Sequence, residues 1–349
     1  MQYIALDAHK RYTLASVEHP SGGVVREARV VHQRGAIQQF LNQCDPGSPV
    51  AIEAVGNWYW IVDEIESAGM TPRLVHARKA KLMMGMLNKT DRLDVCGLNR
   101  LQRNGTLPTV WIPPAELRDQ RDLPRTRMVL SQHRVRLKNR IHATLAKYAL
   151  TAAANTDLFT HAGRDVLAEL LERLPIHTRF ATDTLLTQLD LVEAQIRAFE
   201  ARMRQVFTTS AALMRLTTLP GVGEILGRVI LLEVGDARRF PTAAHLASYA
   251  GTTPRVHASG GKVRLGRVRS DVNHYLKCAF VEAANVICLN RRHWPGRHVA
   301  RLYDRVHQHK GHQKAVGAVA RHLAEATYWI LTKEEPYHAP QRRLASTKA

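Results

Sequence analysis

The chain has 349 residues, 45% of them hydrophobic, enough to bury a sizeable core shared among two or three domains. Its net charge of +20 and pI of about 10.3 make a polyanion the expected partner. No apolar run approaches the length of a spanning helix, so nucleic acid is favoured over membrane, and four scattered cysteines without a C-x-x-C pair argue against a disulfide scaffold or zinc ribbon.

The first predicted strand begins at about residue 2 with no signal peptide before it, which fits a reducing cytoplasm. In IALDAHK, Ile4 and Leu6 alternate with Tyr3, Ala5 and Asp7, the pattern of a half-buried strand ending in an acid. YTLASVEH and VVREARVVH are two further strand-like runs separated by a Pro-Ser-Gly-Gly turn. A helix is expected from Ala36 to Asn42, then a buried strand VAIEAVG carrying Glu53. Helix over Trp58–Ser67, strand over Pro72–Val75 and helix over Asp91–Arg103 follow. Asp91 and Asp94 are three apart and share a helix face. Three antiparallel strands followed by alternating helix and strand are the layout of a ribonuclease-H-like (RuvC-like) fold. Asp7, Glu53, Asp91 and Asp94 then sit where they can converge. Taken singly, each acid reads first as a structural strand-end or solvated-face residue. Converged, they repel unless divalent cations neutralise them, and oxygen-only ligands favour Mg²⁺ or Mn²⁺. The chemistry such a set serves is metal-assisted attack on a phosphodiester.

From Glu116 to about Met203 the pattern is helical. Leu117, Leu123, Val135, Leu137, Ile141 and Leu145 form an irregular stripe among Arg118, Arg121, Arg134, Arg136, Lys138 and Arg140. Pro124 is expected to break or kink this helix. A second long helix is expected over Thr182–Gln205, with Leu185, Leu189, Val192, Ile196 and Phe199 on one face. The pair reads as a coiled-coil stalk whose basic face contacts phosphate or is merely solvated.

LTTLPGVGEILGRVILLEVGD resembles a helix-hairpin-helix element, where Gly221 and Gly223 would let backbone N–H groups approach a phosphate. An ordinary glycine-containing connection is the alternative. Phe240–Ala250 is a short helix. Ser259 lies in a flexible Ser-Gly-Gly turn among Arg255, Lys262, Arg264, Arg267 and Arg269, where a serine can reach a phosphodiester. On spacing alone it is a turn serine. An apolar helix runs from Asn273 to about Leu289. The histidines His293, His298, His307, His309 and His312 match no standard zinc spacing and read as a basic surface. An amphipathic helix over His322–Leu331 closes the fold, and residues after about 340 are expected to be disordered.

Together, ALDAHK, AIEAVGNW, KTDRLDV, KNRIHATL, LTTLPGVGEILG, FPTAAHLASYAGTTP, SGGKVRLGRVRSDVNHYLKCAFVEAA and HQKAVGAVARHLAEATYWIL resemble the DEDD-type insertion-sequence transposases, bridge-RNA-guided serine recombinases. The resemblance implies a catalytic domain over 1–112, a helical stalk over 113–207, a C-terminal transposase domain over 208–340 and a tail over 341–349. It implies Mg²⁺ (or Mn²⁺) held by Asp7, Glu53, Asp91 and Asp94, and Ser259 as the nucleophile of a covalent protein–DNA intermediate. Implied partners are donor and target DNA, a structured guide RNA and further copies of the chain, from dimer to tetramer, with no membrane. The sequence departs from the family at Val272, where a glycine is usual before Asn273, and at Lys277, where arginine is usual. That exchange removes a bidentate phosphate donor. Two rivals stand beside this reading: a junction nuclease using the acids and water, and a non-catalytic nucleic-acid binder.

Overall fold

In the computed structural model of the chain, which describes residues 1–85, 90–153, 156–293 and 297–340, the N-terminal alternation becomes a five-stranded sheet. The tail after 340 lies outside the described residues. Two compact units divide the chain at Pro113–Pro114.

In the first unit, β1 (Tyr3–Ala8), β2 (Tyr12–Glu18) and β3 (Val24–Val31) form an antiparallel meander. After α1 (Ala36–Leu41), β4 (Pro49–Glu53) pairs in parallel with β1, and after α2 (Trp58–Ser67), β5 (Thr71–Val75) pairs in parallel with β4. The order β3-β2-β1-β4-β5 is the antiparallel-then-parallel layout expected from the sequence. Next come α3 (Ala77–Met84), which the sequence reading missed, and α4 (Asp91–Arg103), which matches it.

Period-two alternation assigns the two sheet faces. Ile4, Leu6, Val50 and Ile52 are fully buried with Ile37, Ile61 and Ile65 from α1 and α2. Each such side chain contributes about 1.5–3 kcal/mol. On the other face Ala5 and Ala51 are small enough for α4 to pack closely through Val95, Leu98 and Leu101. Asn99 Nδ2 donates to the Ser16 carbonyl at 3.2 Å and Gln102 Nε2 to the Ile4 carbonyl at 2.8 Å, fixing α4 along the sheet. At the start of α1, Gly35 has no side chain to cap the helix. Buried Glu64 of α2 supplies the acceptors instead, taking the N–H groups of Gly35, Ile37 and Gln38 at 2.7, 3.1 and 3.2 Å.

The second unit is mostly helical. α5 (Ala115–Lys147) is followed by α6 (His161–Glu172) and α7 (Ile176–Val206). The ion pairs Arg127–Glu200 at 2.7 Å and Lys138–Glu193 at 3.1 Å show α5 and α7 to be antiparallel. Pro124 does not end α5, which runs on for 33 residues. The proline removes a single backbone donor, and its buried ring packs into the interior, so the rest of the ladder continues. Arg118 and Arg121, read as part of a basic face, are instead 4% and 3% exposed.

α8 (Ala211–Thr217), α9 (Glu224–Val234) and α10 (Ala243–Tyr249) precede a two-stranded hairpin, β6 (Pro254–Ser259) and β7 (Lys262–Val268). α11 (His274–Asn290), α12 (His298–Lys310) and α13 (His312–Lys333) complete the unit around fully buried Phe280. The predicted helix over His322–Leu331 is thus the C-terminal part of a longer one. Arg121 donates to the Leu232 and Glu233 carbonyls at 2.9 and 3.0 Å, satisfying the end of α9. The Glu233 carboxylate, fully buried, accepts from Arg125 Nε and Nη2 at 2.7 and 3.0 Å and from Asn273 Nδ2 at 2.8 Å. That network joins α5, α9 and the start of α11.

Candidate active site

Strand pairing places the first two acids. Leu6 of β1 is in register with Ile52 of β4, so Asp7 and Glu53 follow at the same level, at the C-terminal ends of adjacent parallel strands. By alternation both lie on the face that α4 covers. Thr90 caps α4, its Oγ1 accepting the Leu93 N–H at 3.3 Å, and Asp91 and Asp94 occupy the first turn, where the helix dipole favours negative charge.

The side chain that joins strand to helix is one the sequence reading passed over. His9 Nε2 lies 3.2 Å from Asp7 Oδ2 and 3.2 Å from Asp91 Oδ2. The three ligand atoms lie within 4.8 Å of one another, the only such group of three or more His, Cys, Asp or Glu among the described residues. Glu53 and Asp94 do not belong to that set. His9 is held from several sides: its carbonyl accepts Asn57 Nδ2 at 3.0 Å, and its ring lies 4.6 Å from that of Tyr12. Arg29 covers Tyr12 at 3.9 Å. Despite its distances to the acids, Nε2 is buried without hydrogen-bond geometry to either. A buried nitrogen facing two carboxylate oxygens, off the line of both, fits a group of three donors aimed at a common cation. This donor set is mixed oxygen and nitrogen, where the sequence indicated oxygen alone. The available signal was the spacing Asp7-x-His9, which puts both side chains on one face of the strand end.

Ser259 is the last residue of β6, paired with Lys262 across the two-residue turn Gly260-Gly261. Both glycines have positive φ, 54° and 73°, as a tight hairpin turn requires. The Ser-Gly-Gly turn is the tip of a two-stranded hairpin, exposed along nearly all its length. Register sorts its faces. His257 pairs with Arg264 and Ser259 with Lys262 on one side, and Gly266 approaches His257 and Arg255 there. Val256 with Leu265 and Ala258 with Val263 form the other, apolar side. The serine thus shares a basic face with Arg255, Lys262 and Arg264. Arg267 stands where the register shifts, and Arg269 is engaged by Asp271 at 2.9 Å.

The remaining positions fall into different settings. Arg134 is half-buried and Arg140 exposed on α5, while Lys138 pairs with Glu193 and covers the Phe159 ring at 4.8 Å. Pro220–Gly223 joins α8 to α9 beside a cleft of about 590 Å³ that Arg297 also lines. Gly221, with φ +77°, meets α11: a Cβ there would lie 2.3 Å from the Ala283 carbonyl oxygen. Gly223 has open space around it and caps α9. Val272 packs its methyls on Gly251, where a Cβ would come within 2.6 Å, so this departure is absorbed by a neighbouring glycine. Lys277 is half-buried on α11. No described helix is long and apolar enough to cross a membrane.

Residues 4–150, which hold all four acids, match a family model described as a transposase of the DEDD IS110 type. Residues 213–300, which hold Ser259, match one described as the transposase IS116/IS110/IS902 family. A "Probable family 20 transposase" of Pseudomonas aeruginosa is 26% identical over 90% of this chain and 94% of its own length. The "Transposase for insertion sequence element IS1111A" of Coxiella burnetii is 24% identical over 82% of this chain and 79% of its own. The "Pilin gene-inverting protein" of Moraxella bovis is 28% identical over 35% of this chain and 37% of its own. With two models of one group matching more than half of its residues between them, the chain belongs to the IS110 family of DEDD transposases.

Proposed function

We propose that this transposase cuts and rejoins DNA strands with a ribonuclease-H-like (RuvC-like) acid site and a serine nucleophile. The observation that carries the reading is the convergence of Asp7, His9 and Asp91 where β1 ends and α4 begins, with Glu53 level with Asp7 on the next strand. Asp7, Glu53, Asp91 and Asp94 hold Mg²⁺ or Mn²⁺, which when bound supplies Lewis-acid stabilisation of charge on the phosphate. His9 adds its Nε2 to the donor set beside Asp7 and Asp91. Ser259 Oγ forms a bond to phosphorus as the bond from phosphorus to one strand end breaks. The serine proton passes to solvent, and the departing oxygen takes one up. The phosphoserine ester preserves the bond energy, and attack by a new strand end reverses the step and releases the serine. A relative named for inverting a gene favours rejoining over simple cutting, because inversion requires every cut end to be resealed.

The basic face of the hairpin (Arg255, Lys262, Arg264), with Arg267 and Lys277, grips DNA phosphates. Arg134, Lys138 and Arg140 on the helical stalk, and the backbone at Gly221 and Gly223, contact the nucleic-acid backbone. Lys138 does so only by sharing itself with Glu193. A structured guide RNA reads donor and target by base pairing, and the chain acts in the cytoplasm as an oligomer of two to four copies.

The test incubates the protein with Mg²⁺, donor and target DNA, and RNA transcribed from the element's non-coding flanks, then denatures it and looks for protein bound covalently to DNA. Ser259→Ala is expected to abolish the adduct, and Asp7→Ala to abolish strand exchange, while both retain nucleic-acid binding. Cleavage that survives Ser259→Ala without an adduct would instead establish a water-using nuclease.

A further inference from the structure

Two cations stand next to the acid cluster without joining it. Lys10 and Arg11 form the turn between β1 and β2, directly after His9, and both are exposed. Their neighbour His9 lies 3.2 Å from Asp7 and from Asp91, yet neither cation makes an ion pair or side-chain hydrogen bond with a described residue. Elsewhere in this unit arginines near acids are used: Arg92 pairs with Glu27 at 2.9 Å and Arg103 with Glu18 at 3.2 Å. The backbone of the turn is held at three points. His9 N–H donates to the Tyr12 carbonyl at 2.9 Å, and Asn57 Nδ2 to the His9 carbonyl at 3.0 Å. His32 N–H donates to the Arg11 carbonyl at 3.0 Å. Two charged side chains thus project from a fixed base, which keeps the cost of ordering them on an anion low.

The last of those bonds leads away from the acids along the sheet end. Tyr12 is in register with Val31, so the residues after β3 lie at the same end of the sheet as the turn. His32 Nε2 lies 2.8 Å from Thr13 Oγ1, and its ring meets Trp60 edge to face, with centroids 5.1 Å apart. Arg34, exposed, lies 6.0 Å from the Trp60 centroid and likewise makes no ion pair with a described residue. Lys10, Arg11 and Arg34 therefore line a ledge from β1 across β2 to β3, two strand spacings or about 10 Å. One DNA strand rises that far in about three nucleotides. Cations this near the acids that do not neutralise them are left for an anion from solvent, and several in line suit a chain of phosphates. We infer that the DNA strand whose phosphate meets the acid cluster leaves it along this ledge, its next phosphates held by Lys10 and Arg11 and then by Arg34. These are positioning residues: they set which phosphate stands at the acids. The inference rests on the acid cluster being a phosphodiester site and is independent of Ser259.

The test replaces Mg²⁺ with Fe²⁺ and ascorbate, so that radicals formed at the bound ion cut the nucleic acid nearest to it. Full-length Ser259→Ala protein is assembled with end-labelled donor DNA, target DNA and flanking RNA, which keeps serine chemistry out of the readout. Cuts should cluster within about three nucleotides of one DNA position. Asp7→Ala should remove the cluster. Lys10→Gln, Arg11→Gln and Arg34→Gln combined should weaken it about tenfold or spread it along the strand. Mn²⁺ affinity by calorimetry and the circular dichroism spectrum should not change, since all three side chains are exposed and outside the donor set. Arg11→Lys alone should keep the cluster. A cluster unmoved by the triple substitution would overturn the inference. So would a parallel fall in Mn²⁺ affinity, which would make these residues supports of the acids, or cuts confined to the RNA. No cuts from the parent protein would overturn the acid-site reading itself, and the ledge with it.

Discussion

His9 is the residue whose role is easiest to separate from the fold. Its ring lies 3.2 Å from an oxygen of each of two acids, Asp7 and Asp91, that come from different elements. Removing it leaves two carboxylates facing one another with one donor fewer. His9→Ala is expected to lower Mn²⁺ affinity about 10–100-fold, with His9→Asn recovering part of it, measured by calorimetric titration of the folded protein. An unchanged affinity would remove His9 from the site. The placement of the four acids at strand ends and on one helix face was legible in the sequence, because such positions follow from periodicity. His9 was passed over, because the spacing Asp7-x-His9 gains its meaning only once the start of α4 is folded against the end of β1.

At the scale of elements, agreement was best where one local pattern decides the outcome. The helices over Trp58–Ser67 and Asp91–Arg103 match residue for residue. It failed where packing overrides a local signal. Pro124 is carried inside α5 with its ring buried. The strands on either side of the Ser-Gly-Gly turn were missed for another reason: they are exposed and show no core pattern. Two element-level predictions follow from buried groups. Glu233 stands at the meeting of α5, α9 and α11, and truncating it removes the buried carboxylate to which Arg125 and Asn273 donate. Glu233→Ala should destabilise the second unit by about 3–5 kcal/mol in a denaturant titration. On α13, burial, aided by the nearby His298, lowers His322 to about 4, and its Nε2 lies 2.9 Å from the Tyr337 hydroxyl. The unfolded chain, at about 6.5, takes up this proton before the folded one does. The stability tied to neutral His322 is therefore complete above pH 6.5 and lost as the pH falls toward 4, up to about 3 kcal/mol. The melting temperature should drop across that window, and His322→Gln should flatten the drop.

Across the whole molecule the question is which positive charges are available to a polyanion. Fifty Lys and Arg against thirty Asp and Glu give the net +20, but that sum treats every cation alike. Folding does not. Arg118 and Arg121 are buried, Arg125 is committed to Glu233, and Arg127 and Lys138 pair with α7. The hairpin cations Arg255, Lys262 and Arg264 lie instead on one open face with Ser259. Charge count and charge use are thus different quantities, and only the second sets the salt dependence of binding. Each phosphate neutralised releases counterions and contributes about −0.9 to the slope of log affinity against log salt on duplex DNA. Replacing all three hairpin cations by Gln should therefore make that slope shallower by about 2.7, three contacts' worth, in a fluorescence-anisotropy titration. Ser259→Ala should leave it unchanged, since a neutral hydroxyl displaces no counterion. A slope unmoved by the triple substitution would mean that the hairpin face is solvated in the complex, and that the grip on DNA lies elsewhere on the chain.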